Sequence, residues 1–432
     1  VVVSEPYGYQ VINPDDYDFD RQPRPILDEF GQYAGTDWPG KIKNSEELAK
    51  QGKADIERFM QADFEEGFSR FGGWAKGPKQ ESTGYFYTKK LNGKWWFVDP
   101  DGFLFWSLGV DGVNRTTPTP TEGREEFFPD LVHLRTKANQ AIFREGGIDF
   151  RMANHVRKYG NDGHSVANEV NIGRLKSWGI NTLGAWSRVD QETRLPYTLI
   201  IHPDRQGMGE IAKMVDPFSD EYLSNLRVRL NAISKHNEDP WLLGVFINNE
   251  LHWNEEFAVP NQVLSAGGDI PARQAMNGFL KERYPDIESL NSAWGSGFES
   301  FEEINGMLDE DSPENFRRDM RAFLKFYAEA YYRLTAGEMR KVFPNHLYLG
   351  SRLHGRAKTN RPVQEAASKY CDVVSFNIYE HSVSDFETLF DVDKPAIIGE
   401  FHFGTASHGV WGTGLRAAYD LDNQRALYER YI

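Results

Sequence analysis

The sequence predicts a (β/α)₈ barrel, on three observations. Strand-like apolar runs alternate with helical patterns over most of the chain, the rhythm of a parallel sheet. One run, Trp241 to Ile247, is apolar throughout, as a strand buried on both faces must be. No Gly-rich phosphate loop follows the first strand, so the signature of an open doubly wound sheet is missing.

Taken in order, residues 1 to about 45 are rich in Pro, Asp, Tyr and Gly and read as an extended lead-in. Ser45, followed by two glutamates, is expected to cap a helix running to about Arg58. Two strand-like runs, from Gly84 and from Lys94, meet at Asn92-Gly93, a type I′ hairpin pair. The turn Asp99-Pro-Asp-Gly102 then leads into Phe103–Val110, the first core strand. Residues 115–165 are too long for a routine connection and read as a substrate-facing loop region.

A helix at about 166–178 precedes the second strand, Ile180–Trp186, and Tyr197–His202 is the third. Ser219 caps a helix to about Lys235, and Trp241–Ile247 follows as the fourth strand. After an insertion that includes Ile287–Gly295, a long amphipathic helix is expected over Glu314–Val342. In it Met320, Phe323, Leu324, Tyr327, Tyr331 and Leu334 recur at three- and four-residue spacing. Leu347–Arg352, Val373–Tyr379 and Ala396–Glu400 are the fifth, sixth and seventh strands, and a last helix starts near Asp422. No eighth strand follows. The expected division is a lead-in and helix over 1–80 and a barrel, incomplete at its C-terminus, over 81–432.

Chemistry-bearing residues gather where the strands end. The fourth strand breaks into Asn248, Asn249, Glu250, His252 and Trp253, and the seventh ends in Glu400-Phe-His402. In an α/β barrel that end is where catalysis sits. Two carboxylates facing across the mouth suit glycoside cleavage, one protonating the leaving oxygen and one attacking the anomeric carbon or activating water. The acid then requires a raised pKa and the nucleophile a low one. Asn249 is placed to bond a sugar hydroxyl and Tyr379 to hold Glu400 ionised, while Asn114 and Asn377 are further hydroxyl partners. Trp186, Trp253 and Trp411 are candidate sugar platforms, with core packing the competing reading. His202, His252, His354 and His402 also lie near strand ends. No metal-binding spacing joins them, so hydrogen bonding is preferred over zinc and no metal or cofactor is expected.

Bulk properties narrow the partner. A net charge of −15 argues against nucleic acid but not against a neutral polysaccharide. The single Cys371 excludes an intramolecular disulfide framework, and no apolar run is long enough to span a membrane.

These motifs carry a resemblance. GVFINNELHW, DVVSFNIY and AIIGEFHFG resemble the fourth, sixth and seventh strand motifs of the clan of retaining (β/α)₈ glycosidases, and IESLNSAWG resembles a segment of its β-galactosidases. GYFYTKKLNGKWWFVDPDGFLFWSLGVDGVN, with NNELHW and GEFHFG, is similar to the β-agarases of glycoside hydrolase family 50. The resemblance implies cleavage of the β-1,4 linkages of agarose with retention, releasing neoagaro-oligosaccharides such as neoagarobiose. It implies Glu250 as acid/base, Glu400 as nucleophile, Asn249 on a substrate hydroxyl and Tyr379 supporting the nucleophile. It also implies a secreted, periplasmic or cell-envelope location, an upstream β-sandwich and an eighth strand, so a partial chain is expected. A β-galactosidase-like exo-enzyme, a catalytically silent galactan-binding protein and a metal-dependent hydrolase remain the alternatives.

Overall fold

A computed structural model describes residues 24–129, 143–144, 146–190, 193–203, 214–253, 255–266, 268, 270–306, 309, 311–407 and 413–432. Strands β1 (Tyr87–Leu91) and β2 (Lys94–Val98) form the expected hairpin, with Leu91 opposite Lys94 and Asn92-Gly93 both at positive φ, as a type I′ turn requires. The expected first core strand divides in two. Its start, β3 (Leu104–Phe105), pairs antiparallel with β2, and its end, β4 (Gly109–Val110), opens a parallel sheet. Asn181 enforces the break: its side-chain carbonyl accepts from the Leu108 amide, and its NH₂ group donates to the carbonyls of Gly72 and Trp106.

The excursion that follows, expected as a loop region, carries regular elements in its described part. Strands β5 (Thr119–Pro120), β6 (Phe143–Arg144) and β7 (Gly147–Ile148) make a small antiparallel sheet, and a helix spans Phe150–Tyr159. Phe128 and Ile148 give it a separate small core, onto which the lead-in folds through Ile26 and Leu27, whose amides both donate to the Phe127 carbonyl. Apolar burial wins here over a polar, Pro-rich composition.

The architecture is a mixed α/β fold on a parallel sheet. β4, β8 (Thr182–Leu183), β9 (Tyr197–Ile201), β10 (Leu242–Ile247) and β11 (Leu347–Tyr348) lie side by side in chain order, all parallel. β12 (Val374–Asn377) and β13 (Ala396–Glu400) form a second parallel pair, tied to the first sheet by a parallel bridge between Leu353 and Phe376. Among the described residues the ladders do not close into a ring. All six residues of β10 are buried, which explains its unbroken apolar run.

Helices pack outside. The Glu314–Val342 helix is confirmed at its expected bounds, and it buries Met320, Phe323, Leu324, Tyr327 and Tyr331. No helix among the described residues is long and apolar enough to cross a membrane. Ser219 caps its helix as expected, but the first helix, Ser45–Phe59, is capped by Asn44, whose side chain accepts from the Glu47 amide at 2.9 Å. The extended backbone of Asn44 aims its side chain at that amide, whereas Ser45 already lies inside the helix.

The first helix crosses the Gly163–Ser177 helix where Gly173 admits the other backbone: a Cβ there would lie 1.8 Å from the Phe59 carbonyl oxygen. Gly278, exposed in the Pro271–Arg283 helix, faces open space. The same substitution therefore has opposite signs at the two sites. Gly173→Ala should lower stability by about 1–3 kcal/mol, and Gly278→Ala should raise it by about 0.5–1 kcal/mol. Equilibrium urea unfolding of both variants checks this.

Candidate active site

The parallel strands end together, and their C-terminal residues build one polar site. Asp111 follows β4, Trp186 follows β8, Asn248–Glu250 follow β10, Arg352 and His354 follow β11, Asn377 and Tyr379 close β12, and Glu400 closes β13. Inter-strand hydrogen bonds continue past the regular ladders and hang these residues in place. The Ile247 amide donates to Gly350, the Glu250 amide to Ser351 at 3.0 Å, and the Ile378 amide to the Glu400 carbonyl.

Backbone strain collects at the same place. Of the six non-glycine residues with positive φ among those described, Asn92 serves the hairpin. The others are Asn114, Trp186, Asn248, Glu250 and Arg352, at the ends of β4, β8, β10 and β11. For Trp, Glu and Arg this conformation is costly and survives only where surrounding contacts over-determine it. Those contacts centre on Arg352, whose side chain is fully buried. Its guanidinium donates to Glu400 Oε2, to Asp111 Oδ2 (3.2 Å) and, through Nε, to Asn377 Oδ1 (3.0 Å). Trp186 covers one face, its ring centroid 4.6 Å from Cζ.

Asn377 joins the two carboxylates to each other. While its carbonyl accepts from Arg352, its NH₂ group donates to Glu250 Oε1 at 2.6 Å. Tyr379 donates its hydroxyl to Glu400 Oε1, so both Glu400 oxygens are held. His354 places Nδ1 3.7 Å from Glu250 Oε1 and sets its ring edge-on to Tyr379. His402 also packs edge-on against Tyr379, and its Nε2 accepts from the Leu415 amide at 2.8 Å. Burial, with Arg416 nearby, lowers the His402 pKa, in keeping with an accepting neutral ring.

Electrostatics corrects one expectation. Burial pushes the Glu400 carboxyl above the ordinary glutamate value, not below it; Arg352 pulls it down, but Asp111 and Glu250 push it up again. Two carboxyl groups, Glu400 and Asp111, share one buried guanidinium, and burial outweighs its pull on both. The Asp111 carboxyl is raised as well, chiefly by burial and against the pull of Arg352.

Not every expected residue reaches the site. Trp253 is fully buried, between Tyr327, Tyr331 and Tyr332, so it is a core residue and not a sugar platform. Asn114 is also buried, accepting from the Asn171 side chain at 2.8 Å. Asn249 is half-buried beside Glu250, and among the described residues its Oδ1 has no hydrogen-bond partner. His202 and His252 are half-buried near their strand ends, and Trp411 lies outside the described residues. No group of three or more His, Cys, Asp or Glu residues suited to a metal occurs among the described residues.

Sequence reasoning missed Asp111 and Arg352, although each directly ends a strand-like run, the same signal that marked Glu250 and Glu400. Gly184 belongs to this site too, since a Cβ on it would sit 1.9 Å from Asp111 Oδ1.

A family described as β-galactosidase matches residues 205–399. The chain is 30% identical to β-agarase B of Vibrio sp. (strain JT0107) across 94% of its own length and 48% of that protein. It is 26% identical to β-agarase A of the same strain, covering 44% of that protein. The chain thus spans about half the length of these curated relatives. Among solved structures, an agarase, AgWH50C, superposes with a TM-score of 0.83 at 29% identity, covering 94% of this chain and 65% of that one. An exo-β-agarase superposes with a TM-score of 0.81 at 30% identity and the same coverages.

The network predicts how Glu400 titrates. Arg352→Met removes the one cation that lowers its pKa, so the carboxyl should protonate at a higher pH than in the parent chain. Carbon-13 NMR of glutamate carboxyl groups, with Glu400→Gln to assign the signal, measures the shift.

Proposed function

We propose, from similarity to β-agarase B over 94% of this chain, that this protein is the catalytic part of a retaining β-agarase on a (β/α)₈ barrel. The observation that carries the reading is that Glu250 and Glu400 end two parallel strands and share one hydrogen-bond network through Asn377 and Arg352. Residues 81–432 form the catalytic unit in this reading and 1–80 a lead-in. The substrate is agarose or its oligosaccharides. Because such a polymer lies outside the cell, the site of action is extracellular, periplasmic or at the cell envelope.

Glu250 is the acid. Asn377 occupies its Oε1, leaving Oε2 to carry the proton that passes to the departing sugar oxygen. Glu400 attacks the anomeric carbon as that bond breaks, forming a covalent glycosyl-enzyme. Glu250, now ionised, takes a proton from water, whose oxygen attacks the same carbon and releases Glu400, so two inversions give retention. Arg352 and Tyr379 aim Glu400 and stabilise its charge whenever it is an anion. The unpartnered Oδ1 of Asn249 accepts a hydroxyl of the sugar being cleaved.

A second reading, a β-galactosidase-like exo-enzyme, has support in the family match over 205–399. An aryl β-galactoside separates the two, since only the second reading expects its hydrolysis.

Three outcomes test the proposal. Proton NMR of neoagarohexaose hydrolysis should show the β-anomer of the new reducing end first, and an early α-anomer would remove Glu400 as nucleophile. Glu400→Gln should lower kcat by at least about a thousandfold with an unchanged circular dichroism spectrum. The acid limb of kcat/KM should lie above the ordinary glutamate value of 4.5, because Glu400 must ionise and burial resists it.

A further inference from the structure

Glu250 stands on strained backbone. It and Asn248 both have positive φ, 52° and 65°, with only Asn249 between them. Such strain persists only where surrounding contacts over-determine it. The regular β10–β11 ladder does not reach this far, its last partners being Val245 and Tyr348. Beyond it, the Ile247 and Glu250 amides donate to the carbonyls of Gly350 and Ser351, each at 3.0 Å. The place of Glu250 therefore depends on what fixes Ile247, Asn248 and Ser351.

Two adjacent residues of the Glu314–Val342 helix reach all three. The Tyr331 hydroxyl donates to the Ile247 carbonyl and accepts from Asn248 Nδ2, both at 3.1 Å, so its proton and a lone pair are each used. The Tyr332 hydroxyl lies 2.9 Å from Oγ of Ser351, the residue whose carbonyl holds the Glu250 amide. Both tyrosines are fully buried, and Asn248 and Ser351 are nearly so. Trp253, three residues past Glu250, packs edge-on to Tyr331 at 5.9 Å and stacks with Tyr332 at 6.4 Å. One tyrosine pair thus anchors the chain on either side of Glu250. A buried tyrosine hydroxyl ordinarily finds some partner, as Tyr327 does one helical turn earlier, donating to the Val215 carbonyl at 2.5 Å. What sets Tyr331 and Tyr332 apart is that their partners flank a catalytic carboxylate.

We propose that Tyr331 and Tyr332 are positioning residues, whose hydroxyls hold the main chain of Glu250 so that its carboxyl meets the leaving oxygen. The inference rests on the glycosidase reading above and adds what aims the acid. Neither tyrosine touches substrate; each acts through the backbone at the ends of β10 and β11. A small displacement of a proton donor is costly in rate even when the substituted residue is remote from the chemistry. The cost falls on proton transfer, so it is largest where the leaving group needs a proton and smallest where it departs as a stable anion.

The test uses the full chain, two substrates and a matched control. Tyr331→Phe and Tyr332→Phe keep the rings and delete the hydroxyls, and Tyr327→Phe does the same one turn away. On neoagarohexaose, kcat/KM should fall at least about tenfold in the first two, mainly through kcat, and stay within about twofold in the control. On the dinitrophenyl β-glycoside of neoagarobiose, whose phenolate leaves unprotonated, the fall should be at least about fivefold smaller. An equal loss on both substrates, an equal loss in the control, or no loss at all would overturn the proposal. Asn248→Gly tolerates positive φ and removes only the Asn248 contact, so it serves if Tyr331→Phe does not fold. It should show a smaller loss with the same dependence on the leaving group, and an unchanged rate would count against the pair. A readout independent of turnover is hydrogen exchange of the Glu250 amide in protein labelled with nitrogen-15 glutamate, its signal assigned by Glu250→Gln. Exchange should quicken at least about tenfold in Tyr331→Phe relative to Tyr327→Phe, and equal rates would overturn the positioning role. If the parent chain cleaves neither substrate, the glycosidase reading fails instead, and the exchange rates still decide whether the tyrosines hold Glu250.

Discussion

A single buried guanidinium organises the functional end of this molecule. Arg352 has no exposed side-chain surface, and its charge is answered by Glu400, Asp111 and the carbonyl of Asn377. Removing one partner from a buried charge costs roughly 3–5 kcal/mol, far more than an exposed ion pair contributes. That energy exceeds the strain of positive φ at any one of Arg352, Glu250 and Trp186, which costs on the order of 1–3 kcal/mol. The strained backbone and the buried charge therefore belong to one arrangement.

The scaffold supplies that arrangement by stacking parallel strands in chain order, so residues distant in sequence end at one level. An apolar cluster of Phe71, Phe86 and Phe105, packed against Leu243, Phe246, Leu347 and Val373, reaches the site through Phe246 and Trp186, whose rings face Arg352. Trp253 packs among tyrosines of the Glu314–Val342 helix, one of which, Tyr331, bonds the end of the fourth strand at Ile247 and Asn248. Rigid apolar packing on both sides lets a few polar side chains keep defined positions, as a catalytic constellation requires. The raised Glu400 carboxyl follows from the same burial, since the walls that exclude water also penalise its charge.

The amino-acid sequence by itself determined the strand cores, the long amphipathic helix and the two strand-end glutamates. Each is written in a local pattern: the apolar run of β10, the three- and four-residue spacing of the Glu314–Val342 helix, and carboxylates ending apolar strand-like runs. The Asn92-Gly93 turn was legible for the same reason, because its backbone demand falls on two adjacent residues. Only the tertiary structure decided the rest. A lone arginine or aspartate at a strand end has no signature until its partner arrives from another strand, 48 residues away for Arg352 and Glu400 and 241 for Arg352 and Asp111. Trp253 reads as a platform or as core with equal justice until the tyrosines of a distant helix close over it. The division of the Phe103–Val110 run, the cap at Asn44 and the upward pKa of Glu400 likewise depend on long-range hydrogen bonds, exact backbone angles and burial. None of these is a property of neighbouring residues in the chain.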